Sequence, residues 1–431
     1  MSVEATTLAA FGVMIALMLI GIPVAVVMMA VGVGGGLLLY GPSFLQSAAA
    51  VVWSVLNDNL LTGIPLFVLL GELLLRSGMA DRMYVALAAW LSRIPGGLLH
   101  TNIGCCALFA ATSGSSVATA ATVGTVALPA LSARRYPIRD SLGSLAAGGT
   151  LGILIPPSVN MIVYGSLTQN SIGKLFMAGV IPGLLLAFCF MGYIFAASLW
   201  RGERRRESVP PLSERLRLLV HLVPPLVIFG IVMGSIYLGI ATATESAALG
   251  VVAALLLAWM SGRLSLALLR KCFVQSAKIS GMVLLIIVSA FVLNLLVSLS
   301  GVAGQLTKWV TSFGLSSLEM LLLLIVFYLL LGMFMDAMSM LVATVPITYT
   351  LVTALGVDPI WYGIFIILMC EMALISPPVG MNLFVVHGVR PDKGGIEDVA
   401  WGVLPYIVIM ILFTCLLMAF PALATWLPQA V

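Results

Sequence analysis

Charge is what this sequence lacks. Asp, Glu, Lys and Arg make up 8% of its 431 residues, against about a quarter in an ordinary soluble domain. So little charge cannot cover a water-facing surface. Strict alternation of apolar and polar residues is also missing, which excludes a transmembrane β-barrel. Histidine is scarce: the chain has three, His100, His221 and His387. There is no HExxH and no pair of membrane aspartates. An intramembrane serine protease would need a histidine beside its serine, yet all three fall near predicted inner helix ends, away from Ser113–Ser116. The six cysteines sit in apolar segments without metal-site or disulfide spacing and read as small packing residues. Neither an enzyme nor a nucleic-acid partner is expected.

What is present is apolar: 61% of the residues are hydrophobic, in runs of about 20 that match a bilayer span. The expected class is an all-α polytopic membrane protein. The first run begins almost at Met1 without a basic n-region and does not read as a cleaved signal peptide. Lys and Arg favour cytoplasmic loops and gather in five places: Arg76–Arg93, Arg134–Arg139, Arg201–Arg217, Arg263–Lys278 and Arg390–Lys393. Placing all five inside puts the N-terminus in the periplasm. Helices are then expected at 6–21, 23–40, 64–76, 138–166, 175–199, 219–240, 245–261, 279–299, 359–386 and 400–426, with an outer loop at 41–62.

Segments 98–131 and 318–355 each enter and leave on one side. Length allows two full spans or a re-entrant hairpin, and the charge rule fixes only parity. The midpoints "ATSGSSVAT" and "GMFMDAMSM" favour hairpins, because Ser113, Ser115, Ser116 and Asp336 would be costly facing lipid. Each hairpin is followed by an apolar segment interrupted at a diproline, "LIPPSVNMIVYG" (Leu154–Gly165) and "LISPPVGMNLFVVHG" (Leu374–Gly388). Proline lacks an N–H and breaks the helical ladder. One such break is a simple kink or a site. Two at matching positions, each followed by an asparagine, point to a site.

The halves therefore form an inverted repeat. Scaffold helices occupy 1–62, and the first repeat runs over 63–199 with hairpin 98–131 and broken helix 138–166. A solvated basic connector follows at 200–218, then scaffold helices at 219–278. The second repeat covers 279–431, with hairpin 318–355, broken helix 359–386 and last helix 400–426. "SGMADRM" (Ser77–Met83) pairs with "SGVAGQL" (Ser300–Leu306). Inverted repeats with paired broken helices mark secondary transporters with a midplane site. Free carbonyls and hydroxyls at a break suit a hard cation, and half-helix N-termini suit an anion.

"TSGSSVATAATVGTVALPAL", "GTLGILIPPSVNMIVYG", "GMFMDAMSMLVATVPI" and "SPPVGMNLFVV" resemble the large membrane subunit of tripartite ATP-independent periplasmic (TRAP) transporters, over nearly the whole chain. The resemblance implies an elevator-type fold and Na⁺-coupled uptake of an organic acid across the inner membrane. It also implies a soluble periplasmic binding protein and a separate small four-helix membrane subunit. Carried over by motif, a first Na⁺ site takes Ser113 and Ser116 with carbonyls near Gly152, Ile155 and Pro157. A second takes Gly332 with Ser376, Val379 and Met381 or Asn382. Candidate substrate contacts are Ser115, Thr119, Asn160, Asp336 and Asn382. No cofactor beyond the coupling ion is implied.

Other residues stay open at this level. Asp336 either supports the second site or caps the following helix. Thr242 and Glu245 have capping-box spacing. "GVGGG" (Gly32–Gly36) reads as close helix packing. Glu72 and Glu371 either pair with a polar group or carry protons. A self-sufficient Na⁺- or H⁺-coupled anion symporter of similar architecture is the competing class, and partner dependence separates the two.

Overall fold

The computed structural model describes residues 12–14, 16–18, 20–202, 210–301, 304–305 and 313–430. Half of the expected helix 6–21, residues 203–209 of the basic connector, and Val302, Ala303 and Leu306 of the second "SG" motif lie outside the described residues. All regular elements among the described residues are helices.

Pro23 stands just before α1 (Val24–Tyr40), where a missing N–H costs nothing. The glycines of α1 let its backbone close on α13 (Leu266–Leu299): a Cβ on Gly32 would lie 3.1 Å from the Leu293 nitrogen. The outer loop expected at 41–62 contains a helix instead, α2 (Ser43–Leu56), of 14 residues. At 1.5 Å per residue it is about 21 Å long, short of a bilayer core of about 30 Å. The crossing expected at 64–76 is α3 (Gly63–Arg76), equally short. It bends by 67° into α4 (Met79–Leu91), a helix absent from the sequence reading. Gly78 makes the corner at φ +66°, a region open to glycine.

The first repeat continues with α5 (Leu98–Ser113), α6 (Ser116–Ala133), α7 (Ile138–Leu154), α8 (Val159–Thr168) and α9 (Ile172–Trp200). The connector is not wholly solvated. Its helix α10 (Leu212–Leu218) buries Arg215 against Trp90, 4.2 Å from the ring centroid, and the Trp90 indole donates to the Arg215 carbonyl at 3.2 Å. Next come α11 (Val223–Tyr237) and α12 (Ala243–Met260). The start of α12 is a capping box, with the Thr242 amide donating to the Glu245 carboxylate at 2.8 Å, so Glu245 serves as a cap. Helix α13 begins thirteen residues before the expected 279 and carries Arg270, Lys271 and Lys278. At about 51 Å it extends well past the bilayer.

The second repeat holds α14 (Ser317–Gly332), α15 (Ala337–Ala354), α16 (Pro359–Ile375) and α17 (Met381–Gly388). The expected last helix, 400–426, is two: α18 (Glu397–Ala419) and α19 (Ala422–Ala430). Pro421 separates them, because its nitrogen cannot donate to the preceding turn. By length and composition, seven helices among the described residues are fit to span a membrane, or nine if each bent pair counts as one.

Helices α7 and α16 occupy the centre. Every residue from Ser141 to Leu154 and from Trp361 to Ile375 is buried, as expected of helices apolar or small on all sides. In α7 the small residues allow contact with α18: a Cβ on Gly143 would strike the Gly402 carbonyl.

Candidate functional site

Both central helices end in the same way. After Leu154 the chain turns extended at Ile155 (φ −78°, ψ 119°), and after Ile375 at Ser376 (φ −80°, ψ 121°). A diproline follows each, and the Pro156–Pro157 and Pro377–Pro378 bonds are both cis. The two interruptions thus open alike, and the second places one residue more between its diproline and the helix that follows.

The tip of the first hairpin is seated on the first break. Gly114 turns the chain at φ +62°, and a Cβ on it would lie 2.7 Å from the Pro157 carbonyl oxygen. One on Gly152 would lie 2.7 Å from both the Ser115 carbonyl carbon and the Ser116 nitrogen. Ser116 Oγ donates to the Thr150 carbonyl at 3.0 Å. Thr119 Oγ1 donates to the Ser115 carbonyl at 2.7 Å and stands 3.0 Å from Ser113 Oγ. Ser115 Oγ accepts from the Ala118 amide at 3.4 Å and caps α6. Ser113, Ser115, Ser116, Thr119, Gly152, Ile155 and Pro157 are therefore gathered in one place. The break lies inside the α7–α8 pair, so a tip that reaches it ends within the helical layer rather than at its surface.

The second hairpin also packs closely on the second broken helix. Gly332, at the end of α14, packs on α16, where a Cβ would lie 2.6 Å from that of Ala373. Ser376 Oγ donates to the Met372 carbonyl at 2.7 Å, and the Gly380 amide to the Ser376 carbonyl at 3.0 Å. Val379 and Met381 are 44% and 47% exposed; with side chains turned outward, they offer a site here their carbonyls only. Asp336 is the N-cap of α15. Its carboxylate accepts from the Ser339 amide at 3.1 Å and from the Ser339 hydroxyl. Both oxygens are spent on its own helix, and it makes no hydrogen bond with Asn160 or Asn382.

The second halves of the broken helices differ from those of the hairpins. Helices α6 and α15 are capped by side chains; α8 and α17 are not, their N-cap residues being Ser158 and Gly380. Two positive helix ends are thus left open at the breaks. Beside them stand buried polar atoms without a hydrogen-bond partner: Ser158 Oγ, Asn160 Nδ2 and Asn382 Oδ1. Such atoms are costly unless a ligand or water completes them. Asn382 also joins the repeats, its Nδ2 donating to the Ala146 carbonyl at 3.3 Å. No Lys or Arg occurs in 98–133, 140–168 or 317–388. Any anion held here is met by helix ends, amides and hydroxyls.

Of the two undecided acids, Glu72 is paired, its carboxylate accepting from Arg76 at 2.9 Å. Glu371, on α16, is wholly buried and both its carboxylate oxygens lack a partner. Ser158 was absent from the expected set. Its signal was a hydroxyl directly after the first diproline, a place the second repeat gives to Val379.

Residues 11–423 match the family described as the tripartite ATP-independent periplasmic transporter, DctM component. The chain is similar to the C4-dicarboxylate TRAP transporter large permease protein DctM of Rhodobacter capsulatus, with 33% identity over 97% of this chain and 98% of that one. It is also similar to the isethionate TRAP transporter permease protein DctMQ of Oleidesulfovibrio alaskensis, with 32% identity over 93% of this chain and 63% of that one. Among solved structures it resembles the YdaH transporter of Alcanivorax borkumensis, described as having an unusual topology. The TM-score is 0.62 at 15% identity, covering 91% of this chain and 90% of that one, a likeness of fold.

Proposed function

The chain belongs to the DctM family of TRAP transporter large permeases, and we propose that it carries an organic acid inward across the bacterial inner membrane, driven by Na⁺. The relatives are permeases rather than enzymes, and the chain is a multi-pass membrane protein. The observation that carries the reading is the pair of open half-helix N-termini at the breaks, each beside a buried asparagine with an unsatisfied polar atom. Backbone N–H groups at a positive helix end suit a carboxylate. The asparagine amides at Asn160 and Asn382 and the Ser158 hydroxyl add neutral partners, so an anion is held without a fixed cation.

Na⁺ is the natural complement. The first tip offers the hydroxyls of Ser113 and Ser116 and the Pro157 carbonyl, all oxygens. Gly332, Ser376, Val379 and Met381 offer a second set, chiefly of carbonyls. Ions bound there add positive charge beside the anion, so each favours the other's binding, and this linkage is coupling. Because the tips pack on the breaks with glycine-limited contacts, hairpin and broken helix move together. This supports an elevator motion of both repeats' site elements against α1, α11, α12 and α13. The family name supports a periplasmic binding protein that delivers the substrate. The relatives' description as large permease proteins supports a small membrane subunit as partner. C4-dicarboxylates, sialic acids and sugar acids all fit the donor set.

The test is uptake into proteoliposomes holding this chain with its small subunit, under an inward Na⁺ gradient, with labelled dicarboxylates, sialic acid and sugar acids. Each is run with and without the cognate binding protein. Uptake that needs both Na⁺ and the binding protein establishes the reading. Robust uptake without the binding protein makes the chain a self-sufficient symporter.

A further inference from the structure

A cavity of about 220 Å³ opens between the starts of α7 and α18 and the end of α9. It has no place in the transport path described above, since the breaks lie at the other ends of α7 and α16. Its lining includes two guanidinium groups, Arg139 and Arg201, with Asp140, and the aromatic rings of Tyr193, Trp401 and Tyr406. Arg139 donates its Nε to Asp398 at 3.1 Å, and its side chain, which lines the cavity, is 61% exposed. Arg201 is paired with Asp140 across the cavity mouth. Tyr193 and Tyr406 stand edge to face at 5.3 Å between centroids and close the wall.

The surroundings say what level of the membrane this is. Trp200 and Trp401 are 93% and 61% exposed beside it, and exposed tryptophans mark the headgroup layer. The arginines place that layer on the cytoplasmic side. Apolar wall below, guanidinium above and an interfacial tryptophan at the rim form an amphipathic receptor with its charge at the phosphate depth.

We propose that this cavity seats a phosphate-bearing anion, the headgroup of an anionic phospholipid of the inner leaflet, held by Arg139 and Arg201 and walled by Tyr193 and Tyr406. Guanidinium forks match phosphate oxygens in pairs, and basic pockets between transmembrane helices on the cytoplasmic side take such headgroups. The site would brace α18 against α9 and α7. The inference rests on membrane placement alone and stands apart from the uptake reading.

The full-length protein, delipidated in neutral detergent, is titrated with phosphatidylglycerol, with phosphatidylethanolamine and with inorganic phosphate, and its unfolding midpoint is followed. The expected result is an apparent affinity for phosphatidylglycerol about tenfold above that for phosphatidylethanolamine. The preference should vanish in the double variant Arg139→Gln/Arg201→Gln. Since that variant also breaks two ion pairs, Ala197→Trp provides a second test; it fills the cavity from its apolar wall without removing a charge, and should lose the preference too. Inorganic phosphate that competes with phosphatidylglycerol at millimolar concentration would keep the site and change the source to soluble phosphate. Equal effects of the two lipids would overturn the proposal. So would a preference that survives Ala197→Trp, because the arginines would then act from the open surface.

Discussion

Asn382 and Ala146 are 236 residues apart and hydrogen-bonded: the Asn382 amide donates to the Ala146 carbonyl at 3.3 Å. The contact links α17, after the second break, to α7, before the first. It ties the two halves together between the breaks. It also leaves Asn382 Oδ1 buried and unsatisfied, as a residue would be that both holds the site together and receives a ligand.

Asn382→Ala should therefore separate binding from stability. The lost hydrogen bond is worth about 1 kcal/mol, which lowers the melting temperature by only a few degrees in a chain of this size. Substrate affinity should fall further, with KM for the organic acid up about tenfold. Uptake kinetics and a thermal shift measured on the same preparation would check this. A fall in stability with KM unchanged would make Asn382 a purely structural bridge.

Gly152→Ala places a methyl against backbone that cannot yield, 2.7 Å from the Ser115 carbonyl carbon and the Ser116 nitrogen. Overpacking of this kind costs about 1–3 kcal/mol. The expected result is a folded protein whose Na⁺ activation is lost, since the tip is lifted off the break. Gly332→Ala is as tight, 2.6 Å from the Ala373 methyl and 2.8 Å from its Cα, and should cost a similar amount. Na⁺ titrations of both variants would show whether each tip controls a cation.

Ser116→Ala removes the hydroxyl that reaches the Thr150 carbonyl at 3.0 Å. The Na⁺ concentration for half-maximal uptake should rise about tenfold, with the maximal rate preserved. Unchanged Na⁺ activation would remove Ser116 from the first cation site.

Asp336 can be tested by two substitutions that differ in one property. Asparagine caps helices as well as aspartate does; alanine does not and costs about 1 kcal/mol. With both carboxylate oxygens engaged by Ser339, Asp336→Asn should leave stability and Na⁺ activation intact, whereas Asp336→Ala should lower the unfolding midpoint. A loss of Na⁺ activation in the asparagine variant would show that the negative charge itself supports the second site.

Glu371 has no ion pair to lose, though the Leu154 backbone at the first break lies within its electrostatic reach. Breaking a buried ion pair is costly because a charge is left behind, about 3–5 kcal/mol. Glu371→Gln breaks none and keeps the shape, so the unfolding midpoint should hold or rise. A fall of several degrees, with Na⁺ raising the midpoint of the wild type but not of the variant, would place a cation beside the carboxylate.

Legibility in the sequence followed the strength of the local signal. The Thr242–Glu245 cap was readable because its chemistry is contained in four residues. The hairpin tips and diproline breaks were readable because proline, glycine and serine stand out in apolar surroundings. Helices α2 and α4 were not. Each is 13 or 14 residues long, too short to give a spanning signal, and α4 lies in a stretch whose arginines were read as loop. Arg215 looked solvated because nothing local announces Trp90, 125 residues away.

The sequence by itself determined the solvent, the helical class and the two interruptions. Each of these depends on backbone satisfaction in an apolar medium, which composition and proline position dictate residue by residue. Tertiary structure alone decided which polar atoms meet. It spent Asp336 on its own helix, paired Glu72 with Arg76, left Glu371 alone, and brought Asn382 to α7. The reason is that a hydrogen bond is made in space. In a buried layer, whether a polar side chain is a cap, a brace or a ligand contact depends on which carbonyl the packing of other helices brings within about 3 Å.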